Sequence, residues 1–416
     1  MNFRFTLFFL FLCFSTITFS QVSEVNPPEY IKTIIFKSNT DESQLPILKL
    51  GEPLRLEFDV LNGDETDFYY VIEFYNFDWT QNTTLLKSEY LHGFDNVRII
   101  DYENSFNTYQ IYSHYRLRIP NKQTRLKLTG NYMIHIYNDY EELMFSRKFM
   151  IYENIANVGV AIKRSRNVKY VKQKQSVDFK VSSPTIRFRD PKQTINTIVI
   201  QNNNLNTAIT NLKPLYTIGT ELIYNYVTES SFWAGNEFLY FENKDVRGAN
   251  IGVQFIDLKD IYHSYLFADI IRANRPYTYN PDINGNFVVT ALDADNVDIE
   301  ADYTVIHFSL QHPELLNIKQ IHLYGNFNNY TIDEATKMTF NPRLNNYQTT
   351  LTLKQGFYNY KYVIVDKNGN IDEGAISGNF WQTENNYKVL VYYRDFGARY
   401  DKIIGFGEGT SVNIYN

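Results

Sequence analysis

Apolar and polar residues alternate with a period of two along most of this chain. Leu54, Leu56, Phe58 and Val60 fall on one side of an extended segment, and Arg55, Glu57 and Asp59 fall on the other. Val177, Phe179 and Val181 likewise stand opposite Asp178 and Lys180, and Ile306, Phe308 and Leu310 opposite His307 and Ser309. Tyr358, Tyr360, Tyr362 and Ile364 share a side against Asn359 and Lys361. Successive side chains of a strand point to opposite faces, so each pattern predicts a strand with one buried and one solvated face. Asn62-Gly63, Asn284-Gly285 and Asn368-Gly369 suit tight hairpins, which need positive φ at their centre. Helical periodicity is scarce, and residues 313–321 offer one short helix. The expected fold is all-β, built of tandem immunoglobulin-like β-sandwich domains.

Breaks in the pattern suggest where one sandwich ends and the next begins. Residues 153–158 lose the alternation after a strand-like run, and residues 293–302 are acidic and lack aromatics before Tyr303 opens a new strand. The expected modules are residues 21–155, 156–298 and 299–416, each of ordinary sandwich size. With no Pro/Ser-rich linker between them, the modules are expected to dock closely.

Residues 1–20 have the layout of a secretory signal. Arg4 precedes the mostly apolar run 5–14, and small or hydroxylated residues lead to Ser20, with Gln21 as the expected mature start. The apolar run is about half of the roughly 20 residues that a membrane-spanning helix needs. Cys13 is the single cysteine and lies inside this segment, after a bulky Leu12 that suits lipoprotein processing poorly. The mature chain is therefore expected to be exported and free of thiols, with no disulfide and no thiolate metal site. Its formal net charge of -6 gives no reason to expect a nucleic-acid partner. Aromatic residues make up 16% of the chain, with 34 tyrosines, a density that suits ring packing between strands.

No catalytic constellation emerges. There is no G-x-S-x-G elbow and no phosphate-cradling glycine loop. His307 and His312 have a spacing that a zinc pair could use, but packing or surface roles are preferred for both and for His135. The acidic run Asp293, Asp295, Asp298, Glu300 and Asp302 lacks the sixth-position glycine of a calcium loop and reads as a solvated connection. Residues 163–174 carry Lys163, Arg164, Arg166, Lys169, Lys172 and Lys174 without an acid, and read as a solvated strand pair. The expectation is a protein that is not an enzyme, with no catalytic residue, metal or cofactor.

Two resemblances refine this picture. Residues 321–330, followed by Tyr358, Tyr360 and Tyr362, are similar to the immunoglobulin-like modules that bind starch and glycogen, with Tyr330 where tryptophan is usual. That likeness implies an alternative function as a glycan-binding β-sandwich protein of the cell envelope, with Tyr330 and Trp381 as its contacts, although core packing is the preferred role for both rings. The second covers essentially the whole mature chain. Residues 29–33, 50–59, 69–79, 88–94, 113–115, 130–132, 145–149, 235–238, 298–303, 384–387, 391–394, 397–401 and 404–405 resemble, in number and order, the plug protein family of the Bacteroidetes type IX secretion system. Phe74-Tyr75 ahead of Asn76 departs from that pattern, where a histidine-containing version is common. The resemblance implies a non-enzymatic periplasmic plug held at the outer membrane by a protein partner, without a membrane span of its own. That partner would be the translocon barrel, whose periplasmic opening the plug would occlude.

Overall fold

Alternating residues at these positions do form strands, and the strands assemble into paired sheets around three hydrophobic cores. The computed structural model describes residues 22–39, 43–94, 96–210, 212–248, 250–315 and 319–414. The signal reading at residues 1–20, including Cys13, lies outside them. Strand dominates, as expected of an all-β chain, and most pairings are antiparallel. Three among the described residues are parallel: Ile47–Lys49 on Leu143–Tyr152, and both Tyr262–Leu266 and Asp269–Ile270 on Tyr303–Gln311.

The first sandwich packs a four-stranded sheet against a five-stranded one. Its first sheet runs Ile31–Ser38, Leu54–Val60, Ser113–Ile119, Asp101–Asn104, and its second is centred on Gly130–Asn138 and Leu143–Tyr152. Leu54, Leu56, Phe58 and Val60 all point into its core, where Phe58 stacks on Tyr115 with ring centroids 5.1 Å apart. Asn62-Gly63 does not close a hairpin: the strand after it, Phe68–Tyr75, joins the opposite sheet. Asn368-Gly369 does close one, between Gly356–Val365 and Ile371–Asp372. No helix forms over the described part of residues 313–321, and Gln320–Tyr324 is a strand.

The other two sandwiches are discontinuous in sequence. Ile195–Gln201 pairs along its length with Asn386–Tyr393, which pairs in turn with Lys402–Thr410. The second core accordingly mixes Val177, Phe179 and Val199 with Tyr387, Val389, Val391 and Ile404. Conversely, Leu239–Glu242 and Phe287–Val289 pair with Gly356–Val365, so the third core includes Phe241 and Phe287 beside Phe308, Leu323 and Tyr362. Strand pairing thus crosses the break expected near residue 298. The acidic stretch there ends a strand-poor segment, but hydrogen bonds between strands distant in sequence decide which core a segment joins.

Each sandwich touches the other two. The first and second share an apolar joint of Ile47, Tyr75, Trp79, Met133 and Met150 against Ile198, Ile200, Leu390, Tyr392 and Ile403. The first and third meet over the face of Leu54–Val60 that carries Glu57 and Asp59. Asp59 is 0% exposed and its carboxylate accepts from Lys354 Nζ at 2.8 Å, Tyr303 Oη at 2.6 Å and His114 Nδ1 at 2.6 Å. Burial alone would push this carboxyl up, but the Lys354 charge and the His114 hydrogen bond outweigh it and hold the group below its ordinary value.

Removing one partner of a buried ion pair strands the other charge, at about 3–5 kcal/mol. Lys354→Met is therefore expected to lower the denaturant midpoint by an amount in that range, and Asp59→Leu combined with Lys354→Met to recover most of it. A single-substitution cost below about 1 kcal/mol, the value of a surface pair, would show that this contact does not hold the seam.

Candidate functional site: inter-sandwich joints and an exposed ring ladder

The segments quoted for the secretion-family resemblance converge on the joints. Asn131, Tyr392 and Asp401 meet between the first and second sandwiches: Tyr392 Oη donates to Asn131 Oδ1 at 2.7 Å, and Asp401 Oδ2 accepts from the Phe77 amide at 3.0 Å. The Phe77 and Tyr392 rings meet edge to face at 4.9 Å. Arg399 reaches across to Glu89, while its own carbonyl accepts from Asn82 and Thr84. The chain crosses from the second sandwich to the third at residues 234–238 and returns at 378–386, and these crossings clasp each other. Phe380 N and Thr383 Oγ1 both donate to the Gly235 carbonyl, at 2.8 and 2.9 Å, and Asn385 Nδ2 donates to the Ala234 carbonyl at 2.8 Å. These residues are used in holding the sandwiches together, which accounts for their density without an active site.

Glu237 lies within this clasp. It is buried, accepts from the Tyr277 hydroxyl and the Glu384 amide, and sits near Asp282. Burial pushes its carboxyl up to about 7, more than its hydrogen bonds lower it, and burial likewise pushes Asp282 up to about 6. Raised acids in a cleft are candidates for proton transfer. However, the adjoining cleft of about 560 Å³ is lined by Tyr277, Phe380 and Trp381 and not by Glu237. The carboxyl serves the clasp.

The aromatic residues proposed for glycan contact lie apart. Tyr330 is only 4% exposed, packs on Tyr324 in the joint between the second and third sandwiches, and donates to the Asn202 carbonyl at 3.2 Å. A ring enclosed in this way presents no face to a sugar. Trp381 is half-buried at the 560 Å³ cleft, and the Arg164 guanidinium lies 4.1 Å over its ring. The basic segment is likewise engaged internally: Arg166 and Lys163 both pair with Asp178, and Lys174 lies over Trp233. The acidic run is not simply a solvated connection. Asp298 offers its carbonyl to Lys354, and Asp302 Oδ1 accepts from the Tyr109 amide at 2.7 Å.

The third sandwich carries a row of rings on its outer face. Phe255, Tyr265 and His307 are register partners on three neighbouring strands, stacked at 4.2 and 3.9 Å with planes within 11° of parallel. His307 Nε2 and His263 Nδ1 are 2.8 Å apart, so the partner of His307 is His263 rather than His312. Partial burial and then His263 push His307 down to about 4. Tyr265 spends both faces on its neighbours, while Phe255, stacked on one side at the end of the row, is left open to a partner surface. Phe255 is 49% exposed at the sheet edge. The register of distant strands builds this row, so no local motif could have announced it.

A raised acid contributes stability that is fully present below its ordinary pKa, here 4.5, and is lost as pH rises through about 7. Glu237→Gln keeps an acceptor for Tyr277 and Glu384 but carries no charge. It is expected to melt above the parent chain at pH 8, with the difference shrinking toward pH 5. A constant difference across that range would disprove the titration.

Residues 31–153, the first sandwich, match the family described as Type 9 secretion system plug protein 1st domain. A hypothetical protein from Parabacteroides merdae ATCC 43184, known from a crystal structure, superposes with a TM-score of 0.89 at 31% sequence identity, over 93% of this chain and 98% of that one. No curated protein matches. This chain belongs to the family of the Parabacteroides merdae protein, and its first sandwich matches the first domain of type 9 secretion system plug proteins.

Proposed function

We propose that this protein is a non-enzymatic periplasmic plug of the type 9 secretion system that seats on the translocon barrel and occludes its periplasmic opening. The match of residues 31–153 to the plug protein family carries this reading. The architecture supports it physically. A seal works best as a preformed body, because a rigid surface loses little conformational freedom on docking. Three sandwiches joined by an apolar joint and a buried ion pair make such a body. Exposed rings supply contact chemistry, since aromatic residues are enriched at interface centres. No helix among the described residues is long and apolar enough to cross a membrane, which fits a chain held at the outer membrane by a partner.

The test is extraction of the tagged chain from its native envelope in mild detergent. The expected result is co-purification with a very large outer-membrane barrel, together with raised envelope permeability when the chain is deleted. Elution alone, with permeability unchanged on deletion, would sink the proposal. Phe255→Glu is expected to leave the melting temperature nearly unmoved, as for most exposed positions, and to lower recovery of the barrel. Unchanged recovery would remove the ring row from the docking surface.

A further inference from the structure

The seam between the first and third sandwiches contains an imidazole nitrogen for which the fold provides no hydrogen-bond partner. His114 is 3% exposed, and its Nδ1 lies 2.6 Å from Asp59 Oδ1. Asp59 Oδ1, beside the Lys354 ammonium, accepts from Nδ1, so Nε2 is the ring nitrogen left to meet another group. That Nε2 is buried without a hydrogen-bond partner. What it faces is acidic: Asp298 Oδ2 lies 3.9 Å away, and ligand atoms of Glu57, His114 and Asp298 all fall within 4.8 Å of one another. A buried imidazole nitrogen facing carboxylate oxygens beyond hydrogen-bond reach calls for something positive between them, a proton or a cation.

Several independent features converge there. Glu57 and Asp59 are alternate residues of one strand, and the neighbouring strand sets His114 beside Asp59 and Arg116 beside Glu57. Asp298 arrives from the third sandwich on the turn at Val297–Glu300. Around this point three cations, Arg55, Arg116 and Lys354, face five carboxylates, Glu57, Asp59, Asp101, Glu103 and Asp298. Leaving His114 aside, the excess is two negative charges, and two of the five acids, Asp101 and Glu103, are exposed. A carboxylate behind the imidazole is also the usual device for fixing a metal-bound histidine.

We propose that Glu57, His114 and Asp298 form a binding site for a divalent transition-metal ion, with Asp59 orienting the imidazole and water completing the shell. One nitrogen and two carboxylate ligands suit zinc at about 2.0–2.2 Å, which sets tetrahedral ligand atoms about 3.3–3.6 Å apart. The present spacing must contract by about an ångström at its widest. The Asp298 side chain, 35% exposed, has room to make that move and gives the ion its route in. Both Glu57 oxygens contact Arg55, so the oxygen that turns to the ion shares itself between ion and guanidinium, while Asp298 exchanges a 3.8 Å approach to Arg116 for the ion. Bound there, the ion ties the third sandwich to two strands of the first and stiffens the seam.

Calorimetric titration of the full mature chain with zinc chloride, after chelator treatment, tests this. The expected result is one ion per chain and a higher melting temperature with zinc. Asp298→Ala is expected to weaken binding by about 10–100-fold or more and to abolish the thermal shift. Being partly exposed, Asp298 can be replaced without endangering the fold, and His114→Gln provides the second arm. X-ray absorption of the zinc-loaded chain is expected to show one imidazole in an otherwise oxygen shell. No zinc heat overturns the proposal. So does zinc binding untouched by Asp298→Ala and His114→Gln but lost in His263→Gln, which would place the ion at the outer histidine pair.

Discussion

The contact between Asp59 and Lys354 governs how the sandwiches are arranged. Both groups are removed from water, at 0% and 1% side-chain exposure, and come from strands nearly 300 residues apart. Taking two charges out of water costs several kcal/mol for each ion, which their attraction offsets only with good geometry and additional hydrogen bonds. Tyr303 and His114 supply those bonds to Asp59, and the Asp298 carbonyl supplies one to Lys354. The Lys354 ammonium also lies 4.2 Å over the Tyr112 ring. A seam built this way tolerates little sliding, because any shift exposes an unpaired charge to a low-dielectric interior. It specifies one arrangement of the first sandwich on the third.

Tyrosine does related work at lower cost. At the joints its ring fills apolar space while its hydroxyl reaches a partner on another sandwich. Tyr392 donates to Asn131, Tyr112 to the Ala301 carbonyl, and Tyr330 to the Asn202 carbonyl, while Tyr324 accepts from Asn204. The abundance of tyrosine therefore has a structural cause beyond packing across a pleat. These hydroxyls weld three sandwiches into one body.

Much of the fold was legible in advance. Val177, Phe179 and Val181 pointed inward as their alternation required, and so did Ile306, Phe308 and Leu310. The opposite faces were less transparent. Arg55, Glu57 and Asp59 read as a solvated edge, yet Glu57 and Asp59 are buried because the third sandwich covers them. Alternation reports that two faces differ; it does not report what covers the polar one. Tyr330 stood in a motif resembling sugar-binding modules, but its surroundings enclose it. Asp298 read as part of a solvated acidic connection, and only the docking of the third sandwich brings it to His114.

The chain by itself determined the class of fold, the inward faces of its strands and an affinity for the secretion-system family, because period-two patterning and local motifs act between near neighbours. Tertiary structure decided which strands share a sheet, which polar faces are buried and where Glu57, His114 and Asp298 meet. Those outcomes depend on hydrogen bonds and charge pairs between residues hundreds of positions apart. A linear pattern carries no distance between such residues; only the folded chain sets it.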